Sequence, residues 1–154
     1  MTNEPDHTNF ELKIIEDVRN HGCHVLHVFD PEGKEPNFSY SIGFPETVSH
    51  PEVIVFSLPR KLMASMINET WRQLSAEGLR LADGLRIGGL IEGFDCIARE
   101  IDDPAAIREH FGSAIWYHRS QRDAQIACAF QLVWPGARQG LFPWEEGCVQ
   151  EVID

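Results

Sequence analysis

A chain of 154 residues is long enough to bury roughly two-thirds of its unfolded surface around one core, so it needs no disulfide or metal staple to fold. Its 24 acidic against 13 basic side chains, a formal net charge of −11, make most of the surface repel a phosphate backbone and argue against nucleic acid as a partner. The four cysteines form no CxxC pair and no apolar run approaches the roughly 18 residues of a membrane span, which predicts reduced thiols in a cytoplasmic protein with no membrane partner.

The amino terminus, MTNEPDHTNF, has neither the basic nor the apolar region of an export signal. Thr8 and Glu11 then stand at capping-box spacing ahead of FELKIIEDVRNH, in which Ile14, Ile15 and Val18 share one helical face and Gly22 is placed to end the helix. Cys23 to Phe29 has the β-branched and aromatic content of a strand, and the turn-rich DPEGKEP joins it to a second, Asn37–Ile42, as a hairpin. In that second strand Phe38, Tyr40 and Ile42 alternate with polar residues, whereas Val53–Leu58 is almost unbroken and reads as a strand buried on both faces. Between them lies a loop stiffened by Pro45 and Pro51 that carries His50 and Glu52 to the rim of the sheet.

From Pro59 the spacing of Leu62, Met63, Met66, Ile67, Thr70, Trp71 and Leu74 predicts a long helix stopped by Gly78. Glycines break the following stretch into short strands, Leu85–Ile91 and Phe94–Ile101, consistent with bends in a curved sheet. The GGLIEG segment lacks the spacing of a phosphate loop. Asp103-Pro104 opens a short helix ending near Gly112, and SAIWYHRSQRD gathers Trp116, Tyr117, His118, Arg119 and Arg122. Ala124–Trp134 reads as a long strand, and a turn-rich tail closes the chain. Without regular βαβ alternation the expected class is α+β: a single domain over 1–154, its core at 8–147 and flexible ends at 1–7 and 148–154, with an antiparallel or mixed curved sheet and helices packed on one side.

His21, His24 and His27 resemble a metal cluster on paper, but a helix end separates the first two and a strand sends residues three apart to opposite faces. Zinc needs three or four convergent ligands, so no metal site and no cofactor is assigned. A Cys–His nucleophile could be drawn from Cys23 or Cys128 with His50 or His118, although a strand cysteine flanked by alanines is more often an inert apolar residue. Ser41 has no nucleophile elbow around it.

The runs FSYSIGF, HPEVIVFSLP and QLVWP followed by GLFPWEEG, with HGCHVLHV before them, resemble the signature blocks of an uncharacterised bacterial family, domain of unknown function 4262. The resemblance covers nearly the whole chain. Where that family has WPD and a short spacer this chain has WPGARQGLFPW, which puts any role of the missing acid in doubt. The resemblance implies a compact α+β domain and no particular activity.

The tail aromatics must plug the core or line a groove; plugging is the commoner fate of such large rings, and the polar-tipped Tyr40, His50, Gln131 and Trp144 add to the case for a rim pocket. The expected function is therefore binding of a small-molecule ligand by Tyr40, Ser41, His50, Glu52, Gln131, Trp134 and Trp144, with the Pro135–Glu145 tail returning to the Gly43–Glu52 loop. Two alternatives are a small hydrolase or flavin-assisted reductase using His50, Glu52 or His118 as acid or base, and an acidic immunity-like module that neutralises a basic partner.

Overall fold

The computed structural model describes residues 7–135. Helix α1 (Asn9–His21) starts at the expected capping box, with Thr8 and Glu11 each satisfying the other's backbone N–H, and ends at Gly22 in the left-handed region (φ 90°). Strands β1 (His24–Val28) and β2 (Phe38–Ile42) form the expected antiparallel hairpin. A short helix, α2 (Phe44–Thr47), interrupts the proline-stiffened loop before β3 (Glu52–Phe56). Helix α3 (Arg60–Ala76) follows, then β4 (Arg86–Ile91), β5 (Phe94–Ile101), α4 (Pro104–His110), α5 (Gly112–Arg122) and β6 (Ala129–Val133).

The strands make one six-stranded sheet in the order β1-β2-β3-β6-β5-β4. Every neighbouring pair is antiparallel except β3 and β6, so two three-stranded antiparallel ribbons meet at a parallel seam. A register shift between Ile87 and Ile91 bends the β4–β5 ribbon at its glycines, as the sequence anticipates.

The α+β class and the mixed sheet are as expected, but the helices cover both faces instead of one. The cause is visible in β3, where all five residues are buried. Successive side chains of a strand point to opposite faces. Val53 and Val55 pack with Met63, Met66, Ile67 and Leu74 of α3, while Ile54 and Phe56 pack with Ile14 and Val18 of α1, Ile107 of α4, and Phe111 and Tyr117 around α5. A strand buried on both faces demands cover on both.

Two local departures matter for the site. The segment 112–122, unassigned from sequence, is helical, and the strand expected over Ala124–Trp134 shrinks to β6 because Asp123 turns the chain through the left-handed region (φ 51°). The end of α1 is locked from above: a Cβ on Gly22 would fall 2.3 Å from the Trp71 ring. The same indole donates to Thr47 Oγ1 (3.0 Å), which donates to the Gly22 carbonyl.

Met66 is fully buried in the middle of α3, so Met66→Ala should lower the unfolding free energy by about 2–5 kcal/mol. Arg72→Ala, on the exposed side of the same helix, should leave the urea midpoint unchanged. Equal shifts would mean that α3 packs through another face.

Candidate functional site

The β2–α2 turn and the start of β3 are held by one carboxylate. Glu52 is 0% exposed, and its two oxygens accept four hydrogen bonds. Oε1 takes the Ser41 hydroxyl (2.7 Å) and the Phe44 N–H (3.0 Å), and Oε2 takes the Gly43 N–H (2.7 Å) and His118 Nε2 (2.6 Å). The Ser41 hydroxyl donates to Glu52 while its oxygen accepts the Val53 N–H (2.9 Å), so the group is held from both sides. Gly43 is needed where it stands: its φ of 114° suits glycine, and a Cβ would meet both methyls of Val18 at 3.0 Å.

The fourth donor comes from α5. His118 is 1% exposed, and its Nδ1 lies 3.0 Å from a guanidinium nitrogen of Arg122, one helical turn on. A guanidinium can only donate, so Nδ1 accepts, Nε2 carries the hydrogen, and the ring is the neutral tautomer that donates to Glu52. Arg122 Nε approaches Glu46 Oε1 at 3.8 Å, and the Tyr117 hydroxyl donates to the same Glu46 carboxylate (3.1 Å). Burial, followed by the neighbouring Glu46 charge, raises the Tyr117 phenol above its ordinary range and keeps it a donor. The chain Glu52–His118–Arg122–Glu46 thus runs from the core to the surface. In this arrangement the Glu52–His118 pair meets no solvent and every hydrogen-bonding atom of its imidazole and carboxylate is engaged, which makes it a clamp between α5 and the β2–α2 turn.

Among the residues expected at the site, Ser41 and Glu52 are brought together. Tyr40 is buried on the α5 face, where its hydroxyl accepts the Ser113 N–H (2.9 Å) at the start of that helix. Gln131 is buried in β6, registered between Ile54 and Arg99. Trp134 is half-buried against the α3-side core and donates its indole N–H to the Phe56 carbonyl (2.9 Å). Trp144 and the tail beyond Pro135 lie outside the described residues. The sequence offers His118 as a candidate acid or base and Arg122 only as a member of a basic, aromatic cluster; their spacing of four is the signal that a helix would align them.

His50 stands apart from Glu52's ligands. Its Nδ1 hydrogen goes to the Pro51 carbonyl (2.8 Å), its Nε2 accepts the Leu81 N–H (3.2 Å), and its ring packs on Phe130. It also edges a cleft of about 370 Å³, walled by Pro45, Ser49 and Pro51 on one side and by Gln125 to Cys128 on the other. Cys128 and His50 therefore share a cleft, but both imidazole nitrogens are occupied, and burial together with Glu100 and Asp102 raises the Cys128 thiol above its usual range. The three histidines near β1 do not converge: His24 meets Asp17 (2.7 Å) and His27 meets Ser39. Among the described residues no group of three His, Cys, Asp or Glu side chains is placed to hold a metal ion.

The sequence profile of a family described as a domain of unknown function, DUF4262, matches residues 17–149, which takes in the whole Glu52 network. The chain belongs to that family. No match was found among curated proteins, and none among solved structures. Among the described residues of this DUF4262 domain, no helix is long and apolar enough to cross a membrane.

Two outcomes follow from the DUF4262 geometry. Burial holds His50 below the ordinary imidazole value of 6.5, so as pH falls through that value the unfolded chain takes up a proton that the folded chain refuses. Stability at pH 5.5 should therefore lie below that at pH 7.5, and His50→Gln should make the difference smaller when both are measured by urea unfolding; an unchanged difference would remove His50 from this role. Burial also pushes the Cys23 and Cys96 thiols up to about 12. Iodoacetamide on the native protein should label Cys128 well before either, as read by peptide mapping, and prompt labelling of Cys23 would contradict the packing described.

Proposed function

We propose that this protein is a small-molecule-binding domain whose ligand occupies the cleft between the α2–β3 loop and the α5–β6 connection. The observation that carries this reading is that one buried carboxylate ties down the segments leading into both walls. Glu52 holds the turn that leads into the first wall, and through His118 it holds the helix that leads into the second. Ser49 (φ 54°) within the first wall and Asp123 (φ 51°), two residues before the second, are non-glycine residues in the left-handed region, a strain that folds keep where the surrounding structure dictates it. Pro45, Pro51 and Ile126 supply apolar contact, Ser49 and Gln125 supply polar tips, and the volume of about 370 Å³ lies in the range of small-ligand sites. Pre-formed walls limit the ordering cost of binding. The reduced, high-pKa thiols Cys23 and Cys96 suit a cytoplasmic location, which we include in the proposal.

Native mass spectrometry of freshly purified protein tests this directly. The wild type should carry a noncovalent small-molecule adduct. Ala127→Trp, which fills the cleft from an exposed loop position, should lose the adduct and keep the melting temperature. An adduct retained equally by both proteins would place the ligand elsewhere.

A further inference from the structure

A second cleft lies at the other end of β3, where Phe56 and its cross-strand partner Phe38 mark the opposite edge from Glu52. Its volume is about 450 Å³. Phe38, Phe56 and His110 form a mutually packed set of rings, with centroids 5.2 Å apart for the two phenylalanines and 5.4 and 5.5 Å for each with the imidazole. Phe29, the residue after β1, lines the same space and is 69% exposed. This ring, next to the exposed Val28, extends the apolar wall of the cleft to its mouth, where it is open to a ligand.

Among the described residues the charge lining those rings has one sign: Asp30, Glu35 and Glu109 line the cleft, and no described lysine or arginine does. The Asp30 carboxylate accepts the backbone N–H groups of Glu32, Lys34 and Glu35, which hold it below the usual carboxylate range and fix the turn that carries Glu35. Glu35 and Glu109 are exposed. Ring faces present negative electrostatic potential, and acidic groups at the rim add to it. A neutral apolar ligand would use the rings and waste the carboxylates, and an anion would be repelled by them.

The geometry points to a binding site for an organic ammonium ion with apolar substituents, seated on Phe29, Phe38 and His110, with the buried Phe56 ring backing them, and neutralised by Glu35 and Glu109. This site is separate from the cleft beside His50 and does not depend on the ligand proposed there.

Choline and its uncharged isostere 3,3-dimethylbutan-1-ol separate the charge from the shape, and titration of the full chain with each, followed by calorimetry or amide chemical shifts, supplies the test. Choline should bind saturably and shift the Phe29–Phe38 amides, and the isostere should bind at least about tenfold more weakly. Phe29→Ala, which removes only an exposed ring, should weaken choline by about tenfold, and the double variant Glu35→Gln, Glu109→Gln should weaken it and flatten its salt dependence. Ala127→Trp should leave choline binding unchanged, so failure here and failure of the other cleft are told apart. Equal binding of choline and the isostere, no saturable choline binding, or wild-type affinity in Phe29→Ala would each overturn the proposal.

Discussion

An ionisable carboxyl group placed in the core of a small domain costs several kcal/mol unless donors fill its lone pairs, and the fold around Glu52 is arranged to fill them. Two of the donors are backbone N–H groups at the α2 N-terminus, one is a serine one strand away, and one is a histidine 66 residues later. Each places a geometric demand on its segment. The turn must expose successive N–H groups, which is why Gly43 sits at a φ of 114°. Ser41 must point its hydroxyl along the sheet, and the Val53 N–H holds it there. Helix α5 must lie across the end of β3 with His118 inward, and Tyr40 receives the helix's first turn. The parallel seam between β3 and β6 then follows, because the connection from α5 delivers β6 beside β3 in the same direction.

Much of this frame was legible in the chain. The Thr8–Glu11 box, the apolar face of α3 and the β1–β2 hairpin are local signals, set by residues within one or two turns of each other, and they appear as read. The unbroken VIVF run stated that β3 is buried twice, and that statement already contradicted helices on a single side. Helix α5 escaped because GSAIWYHRSQR has a glycine at its start and turns a small residue, a tyrosine and a histidine inward, Ala114, Tyr117 and His118, where an apolar stripe is the usual sign. The 124–128 stretch is apolar enough to pass for strand, yet Asp123 reverses the chain before it.

The sequence placed Ser41 and Glu52 in one ligand-binding set at the sheet rim, and the structure joins them by a hydrogen bond, but nothing in the sequence singled out the third partner. A buried carboxylate with turn N–H donors on one side implies a further donor, and the choice among His24, His50, His110 and His118 is tertiary information. His50 was read as a companion of Glu52 and instead ties the Leu81 loop to β3. The two ends of β3 thus differ in kind. One is a closed polar clamp flanked by a cleft, and the other is an open aromatic cleft with acids at its rim. In this DUF4262 domain a fully hydrogen-bonded carboxylate thus stands at one end of β3 and an exposed phenylalanine beside a cleft at the other.

The isosteric replacement Glu52→Gln examines the clamp most directly. It keeps the volume and one acceptor oxygen but turns an NH2 group toward Gly43 N–H and His118 Nε2–H, or toward Ser41 and Phe44, so that donors face donors whichever way the amide is placed. Equilibrium urea unfolding should show a loss of about 3 kcal/mol or more, with amide exchange at Gly43 and Phe44 accelerating beyond the global change. A Glu52→Gln protein as stable as the wild type, with both amides still protected, would contradict the central role given to this carboxylate.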